Sequence, residues 1–149
     1  MFTRSTLFLV VAVAVLATIV SANQKLPKNL FDSPYSKKLN RKEFLESITD
    51  GNVHVVEFYS DGCRGCQKFA GDWKAIAEKF KDTEGVQIAQ VNCSIEGRLC
   101  RQRAVNGYPT VKVFQNGEEY ITYEGIMFGE LVEKFIASVA RDLLQETTK

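Results

Sequence analysis

Histidine is almost missing from this sequence. The chain of 149 residues holds one, His54, inside a β-branched run, against four cysteines. A mixed Cys/His zinc site therefore lacks histidines. The cysteine spacing, C-x2-C then C-x6-C, also departs from a four-cysteine zinc pattern, so no metal and no other cofactor is expected. Charge of one sign is lacking too. Nineteen Lys and Arg face 18 Asp and Glu, a net of +1, which excludes a broadly basic surface built for nucleic acid or anionic membrane. Proline is scarce, with two of the three lying before residue 35. No internal repeat or low-complexity tract suggests a second domain. Long apolar runs are limited to Leu7 to Val20, interrupted only by Thr18. That run has the length of a signal-peptide core and is short for a membrane span, and small Ser21 and Ala22 follow it. Residues 1–22 read as a signal peptide cleaved after Ala22, with no stable membrane insertion afterwards. The closing "LLQETTK" carries no KDEL-type signal. The expected location is the endoplasmic reticulum lumen or the outside of the cell, where disulfides persist.

What is there divides into residues 23–32 as a leader, 33–144 as one domain and 145–149 as a tail. "YSKKL" reads as a short strand. Asn40 with Glu43 forms a capping-box pattern opening a helix with Phe44, Leu45 and Ile48 on its apolar face. Val53 to Ser60 is a strand whose one charged residue is Glu57. From Cys63 the period changes: Cys66, Phe69, Trp73, Ile76, Ala77 and Phe80 fall on one helical face. A second strand spans Val86 to about Asn92, and a short helix follows in "SIEGRLCRQRA". "VKVFQNGEEYITY" is a hairpin turning at Asn116–Gly117. The last helix, Phe128 to Leu144, places Phe128, Leu131, Val132, Phe135 and Val139 on one face. Alternating strands and helices argue for an α/β sheet covered on both faces, with an antiparallel edge.

The chemistry concentrates in "EFYSDGCRGCQK". A strand ends at Ser60 and a helix begins near Cys63, so the first sulfur stands where free N–H groups and the helix dipole favour negative charge. Arg64 adds a cation beside it. Cys66, one turn further in, is expected to be more buried. This asymmetry suits Cys63 as nucleophile and Cys66 as the thiol that resolves a mixed disulfide. Gly62 and Gly65 leave the backbone free around both. C-x-x-C in a βαβ setting favours a redox pair over a zinc clip or an inert staple. Four cysteines allow three pairings, and spacing alone does not choose among them. On their own residues, Glu57 also fits a solvent-facing strand position and Pro109 an ordinary turn.

"VVEFYS…CRGC", "IAQVNC", "GYPTVKVF" and "YEG…L…FI" together resemble a catalytic thioredoxin-fold domain of the protein disulfide isomerase family, over about Ser33 to Ala140. The resemblance implies a thioredoxin fold, a central mixed β-sheet with helices on both faces. It implies that Cys63 attacks and Cys66 resolves, and that Pro109 is a cis-proline beside which a substrate backbone pairs. Glu57 would be a buried acid taking the proton of the resolving thiol. Cys93 and Cys100 would form a structural disulfide, worth about 2–3 kcal/mol by loop closure. Tuning groups differ from the family pattern Trp-Cys-Gly-His-Cys. Gly62 replaces the tryptophan, and Arg64-Gly65 replaces Gly-His between the cysteines. Gln90 replaces a lysine that faces the buried acid, leaving Glu57 without a cation so that burial raises its pKa. Met127 stands for an arginine and Gly71 for a helix-kinking proline.

The function expected from all this is thiol–disulfide oxidoreductase or isomerase activity on cysteine-containing polypeptides of the secretory pathway. The alternative is a redox-weak, chaperone-like module that holds peptides beside Pro109 and Tyr108. Tyr108 serves substrate contact or core packing equally well. Asn92-Cys93-Ser94 fits the N-glycosylation pattern, but its strand-end position argues against a glycan. Arg98, Arg101 and Arg103 read as a solvated helix face.

Overall fold

The structure is a computed structural model, and it describes residues 29–146. The expected signal peptide and its expected cleavage after Ala22 lie outside the described residues, as do most of the leader and the last three residues. In chain order the elements are β1 (Lys37–Lys38), α1 (Arg41–Ser47), β2 (Val53–Tyr59), α2 (Arg64–Phe80), β3 (Val86–Asn92), α3 (Gly97–Gln102), β4 (Thr110–Gln115), β5 (Glu118–Thr122) and α4 (Gly129–Glu146). They form one five-stranded sheet in the order β1-β3-β2-β4-β5. β3 runs parallel to both β1 and β2, while β4 is antiparallel to β2 and β5. The sheet is therefore mixed, and β2 is its central strand.

β2 is buried along its whole length, because helices cover it on both faces. One face packs Val53 and Val55 with Trp73, Ile76 and Ala77 of α2 and Val132, Ile136 and Leu143 of α4. The other packs Val56 and Phe58 with Phe44 of α1 and Leu99 of α3. Trp73 lies in the core as its helical spacing predicts, and its indole N–H donates to Ser36 Oγ at 3.0 Å.

Two apolar faces differ from the sequence reading. In α1 the buried pair is Phe44 and Ile48, four residues apart, whereas Leu45 lies about 100° around the helix and is exposed. In α4 the buried stripe is Val132, Ile136, Val139, Ala140 and Leu143. Leu131 is exposed, and Phe128 precedes the helix in an exposed loop. Phe135 packs at the margin, its ring 5.0 Å from that of Tyr123. Rows begun at Val132 and at Phe128 share the same i, i+4, i+7, i+11 spacing, so periodicity does not choose between them; packing against the sheet does. Arg103 also departs from a simple solvated face, since its guanidinium lies 5.1 Å from the Phe44 ring centre.

The capping box is formed. Asn40 Oδ1 accepts from the Glu43 N–H, and Glu43 Oε2 accepts from the Asn40 N–H, both at 3.0 Å. Asn40→Ala is expected to cost about 1 kcal/mol of stability. Urea unfolding of the two proteins checks it, and an unchanged midpoint would contradict the role.

Candidate active site

The central strand delivers the site. Beyond Tyr59 the chain turns through Ser60, Asp61 and Gly62, and Cys63 becomes the N-cap of α2. Its sulfur accepts the Cys66 N–H at 3.1 Å and lies 3.4 Å from the Tyr108 carbonyl oxygen. The first contact follows from the helix start, where orphan N–H groups point at the cap sulfur; the second comes from the proline loop, whose carbonyl accepts from the Cys63 thiol. Cys63 is half-buried and Cys66 fully buried, and both thiols are unpaired. Burial and the neighbouring Cys63 sulfur push the Cys66 thiol up. One sulfur is thus reachable and the other waits behind it.

The Tyr108–Pro109 bond is cis. A Cβ placed on Gly65 would stand 3.4 Å from Pro109 Cδ and 3.8 Å from Cys63 Sγ. The first turn of α2 and the proline loop therefore nearly touch, and glycine at 65 keeps the approach open. A groove of about 340 Å³ runs past them, lined by Gly65, Lys68, Phe69, Asp72, Pro109, Met127 and Phe128. Tyr108, Phe128 and Ile126 are exposed at 41%, 57% and 77%. Tyr108 is therefore a surface residue and not a core one. A larger cleft, of about 710 Å³, is bordered by Tyr35, Lys37 and Lys81, and no cysteine lines it.

Glu57 lies inside the sheet with no exposure, and neither carboxyl oxygen has a hydrogen-bond partner. Burial alone pushes its pKa up to about 8. Gln90 is its cross-strand neighbour on β3, yet the Gln90 amide donates to the Phe31 carbonyl at 2.7 Å and not to the acid. Phe31, which the sequence places in the leader, is buried and stacks on Tyr59 with ring centres 4.3 Å apart. It packs in one cluster with Tyr59, Cys66 and Ala70. No periodic pattern marks Phe31 in the sequence. The Arg64 side chain is exposed and forms no ion pair with any described residue, so its influence on Cys63 is that of a solvated charge.

Cys93 and Cys100 are joined in a disulfide. The Asn92 amide is engaged on both sides: its nitrogen donates to Asp61 Oδ2, and its oxygen accepts the Ser94 N–H, each at 2.9 Å. His54 pairs with Asp50 at 2.8 Å at the start of β2, whereas Cys63 follows the end of that strand. Among the described residues no group of three or more His, Cys, Asp or Glu side chains is placed to hold a metal ion.

Comparison with known proteins agrees with this geometry. The family model Thioredoxin matches residues 35–138. DnaJ homolog subfamily C member 10 of Homo sapiens is 33% identical over 116 residues, 77% of this chain and 14% of that protein. Protein disulfide isomerase-like 2-1 of Oryza sativa subsp. japonica is 31% identical over 103 residues, 68% of this chain and 28% of that protein. The chain thus spans less than a third of either relative. The crystal structure of the J-Trx1 fragment of ERdj5 superposes with a TM-score of 0.69 at 32% identity, covering 74% of this chain and 54% of that one. With a mixed sheet, a C-x-x-C at a strand–helix junction and a cis-proline against it, the chain belongs to the thioredoxin family, among relatives of the protein disulfide isomerase kind.

Proposed function

We propose that this protein is a thiol–disulfide oxidoreductase acting on cysteine-containing polypeptides of the secretory pathway. The observation that carries the reading is the asymmetric pair: Cys63 reachable at a helix N-cap and against the Tyr108 carbonyl of the cis Tyr108–Pro109 bond, with Cys66 fully buried behind it. In the reductive direction the Cys63 thiolate attacks one sulfur of a substrate disulfide. That bond breaks, one substrate thiolate leaves, and a mixed disulfide joins Cys63 to the substrate. Cys66 then loses its proton and attacks the Cys63 sulfur. The second substrate thiolate leaves, Cys63 and Cys66 become a disulfide, and two electrons have passed to the substrate.

Glu57 is the acceptor for the Cys66 proton only when it is ionised. With a pKa of about 8 it is mostly protonated at neutral pH, so the resolving step gains as pH rises toward that value. The groove lined by Pro109, Met127 and Phe128 offers an apolar wall for a peptide segment. The Cys93–Cys100 disulfide and the signal-like N-terminus support an oxidising compartment, the reticulum lumen or beyond.

Cys66→Ser tests the assignment of roles. Incubated with insulin, it is expected to accumulate a mixed disulfide through Cys63, visible as a mass adduct that dithiothreitol removes. Absence of the adduct, with wild type active, would reverse or remove the assigned roles. The exposed Tyr108, Ile126 and Phe128 also favour a second reading, peptide holding without exchange. In that case a Cys63→Ser/Cys66→Ser double variant binds unfolded peptide as wild type does, and wild type leaves insulin unreduced.

A further inference from the structure

The loop that presents the nucleophile has little to hold it. Ser60, Asp61 and Gly62 connect β2 to α2 without a proline. A Cβ at Gly62 would meet nothing within 4 Å, so packing does not define the backbone there. Asp61 and Gly62 are exposed.

The order comes from the neighbouring turn between β3 and α3. Ser94 Oγ shares a hydrogen bond with Ser60 Oγ at 2.9 Å and accepts the Asp61 N–H at 3.1 Å. Asn92 Nδ2 donates to Asp61 Oδ2, and the Cys93 N–H donates to the Tyr59 carbonyl at 2.7 Å. The turn is itself rigid. Asn92 Oδ1 accepts the Ser94 N–H, the Asn92 carbonyl accepts from Ile95 and Glu96, and Cys93 is bonded to Cys100. On the other side, Gln67 Nε2 donates to the Asp61 carbonyl at 2.9 Å, and the Cys63 N–H donates to the Ser60 carbonyl at 3.1 Å. A continuous chain of contacts therefore runs from the Cys93–Cys100 disulfide through Ser94 to the backbone of Cys63.

We propose that Ser94 is a positioning residue for the Cys63 nucleophile, acting with Asn92 as a clamp that fixes the catalytic loop from the disulfide-braced turn. The proposal rests on the oxidoreductase reading for its consequence in catalysis. Ser94 is exposed, so its hydroxyl contributes little to burial; water competes for each bond, and stability should hardly depend on it. Position is different. Cys63 Sγ keeps its contacts with the Cys66 N–H and the Tyr108 carbonyl only while Ser60 to Cys63 stand where the clamp holds them. Small displacements of an attacking group cost rate out of proportion to their energy.

The experiment compares wild type, Ser94→Ala and Ser94→Thr. Three quantities are read: exchange of the Asp61 amide hydrogen, the rate at which Cys63 forms a mixed disulfide with oxidised glutathione in a Cys66→Ser background, and Tm. Ser94→Ala is expected to speed Asp61 amide exchange about tenfold and to slow mixed-disulfide formation about fivefold. Tm should stay within about 2 °C. Ser94→Thr, which keeps the hydroxyl, should restore both rates. Unchanged exchange and unchanged attack in Ser94→Ala would overturn the clamp. So would losses that track a falling Tm and that threonine does not restore, since those report a merely structural role. Wild type that attacks glutathione yet leaves insulin unreduced would defeat the oxidoreductase reading alone, because the exchange and attack arms still decide the clamp.

Discussion

Cys63→Ser is expected to lower insulin reduction at least about a thousandfold, to the uncatalysed background. An alcohol is not ionised near neutral pH, and exchange at sulfur requires a thiolate. No other sulfur is placed to substitute. Cys66 has no exposure, and Cys93 and Cys100 are buried and bonded to each other. The fold should survive, because Cys63 is the N-cap of α2, its sulfur accepting the Cys66 N–H, and serine is among the best N-cap residues. The measurement is therefore clean: unchanged circular dichroism and thermal unfolding, with turbidity from insulin chains absent. A variant that reduced insulin at the wild-type rate would show that the activity does not pass through this pair.

Glu57→Gln is expected to stabilise the protein at alkaline pH and to leave it nearly unchanged in acid. The carboxyl is fully buried without a partner, and its pKa rises from the ordinary 4.5 to about 8. Below the unfolded value both states hold the proton and the group is silent. Between the two values the folded state keeps a proton that the unfolded chain has lost, so stability falls as pH rises. The slope is about 1.4 kcal/mol per pH unit. Above the folded value both states are ionised and the penalty is complete, on the order of 5 kcal/mol. Glutamine cannot ionise, so it removes this slope. Urea unfolding at pH 4 and at pH 8.5 should give equal midpoints for the two proteins in acid and a markedly higher midpoint for Glu57→Gln at pH 8.5. Asp50 and Glu119, whose pKa values are lowered by His54 and by Lys112 and Thr122 against the opposing cost of burial, lose their stabilisation in acid instead. They are common to both proteins and cancel. Parallel pH curves would contradict the burial argument. The same variant should also lose the rise in resolving rate toward pH 8, since no carboxylate remains to accept the Cys66 proton.

These two residues also mark how much the sequence discloses. Cys63 and Cys66 are legible because their chemistry is local: a β-branched strand, a short turn and a helical period put them at a helix start without reference to anything distant. Glu57 is different. Its strand is plain, but whether a strand residue faces solvent or core depends on what packs on its face of the sheet, here α2 and α4, with Phe31 closing over Tyr59 and Cys66 at the end of the strand. The replacement of lysine by Gln90 points to an unpaired acid, yet the destination of the Gln90 amide, the Phe31 carbonyl, has no sequence signal. Ser94 appears in the sequence only as the third residue of a glycosylation pattern. Its hydroxyl meets Ser60 and Asp61 across more than thirty residues.

By itself the sequence determined the order of strands and helices, the capping box at Asn40, the turn at Asn116–Gly117 and the placing of a cysteine pair at a strand–helix junction. Each depends on side chains within a few residues of one another, so periodicity and propensity suffice. Only the tertiary structure decided that α4 buries the row from Val132 and not from Phe128, that the Tyr108–Pro109 bond is cis against Gly65, that Glu57 has no partner, and that Phe31 closes over Tyr59 and Cys66. Burial and hydrogen bonding are properties of what surrounds a group, and here the surroundings come from segments far apart in the chain.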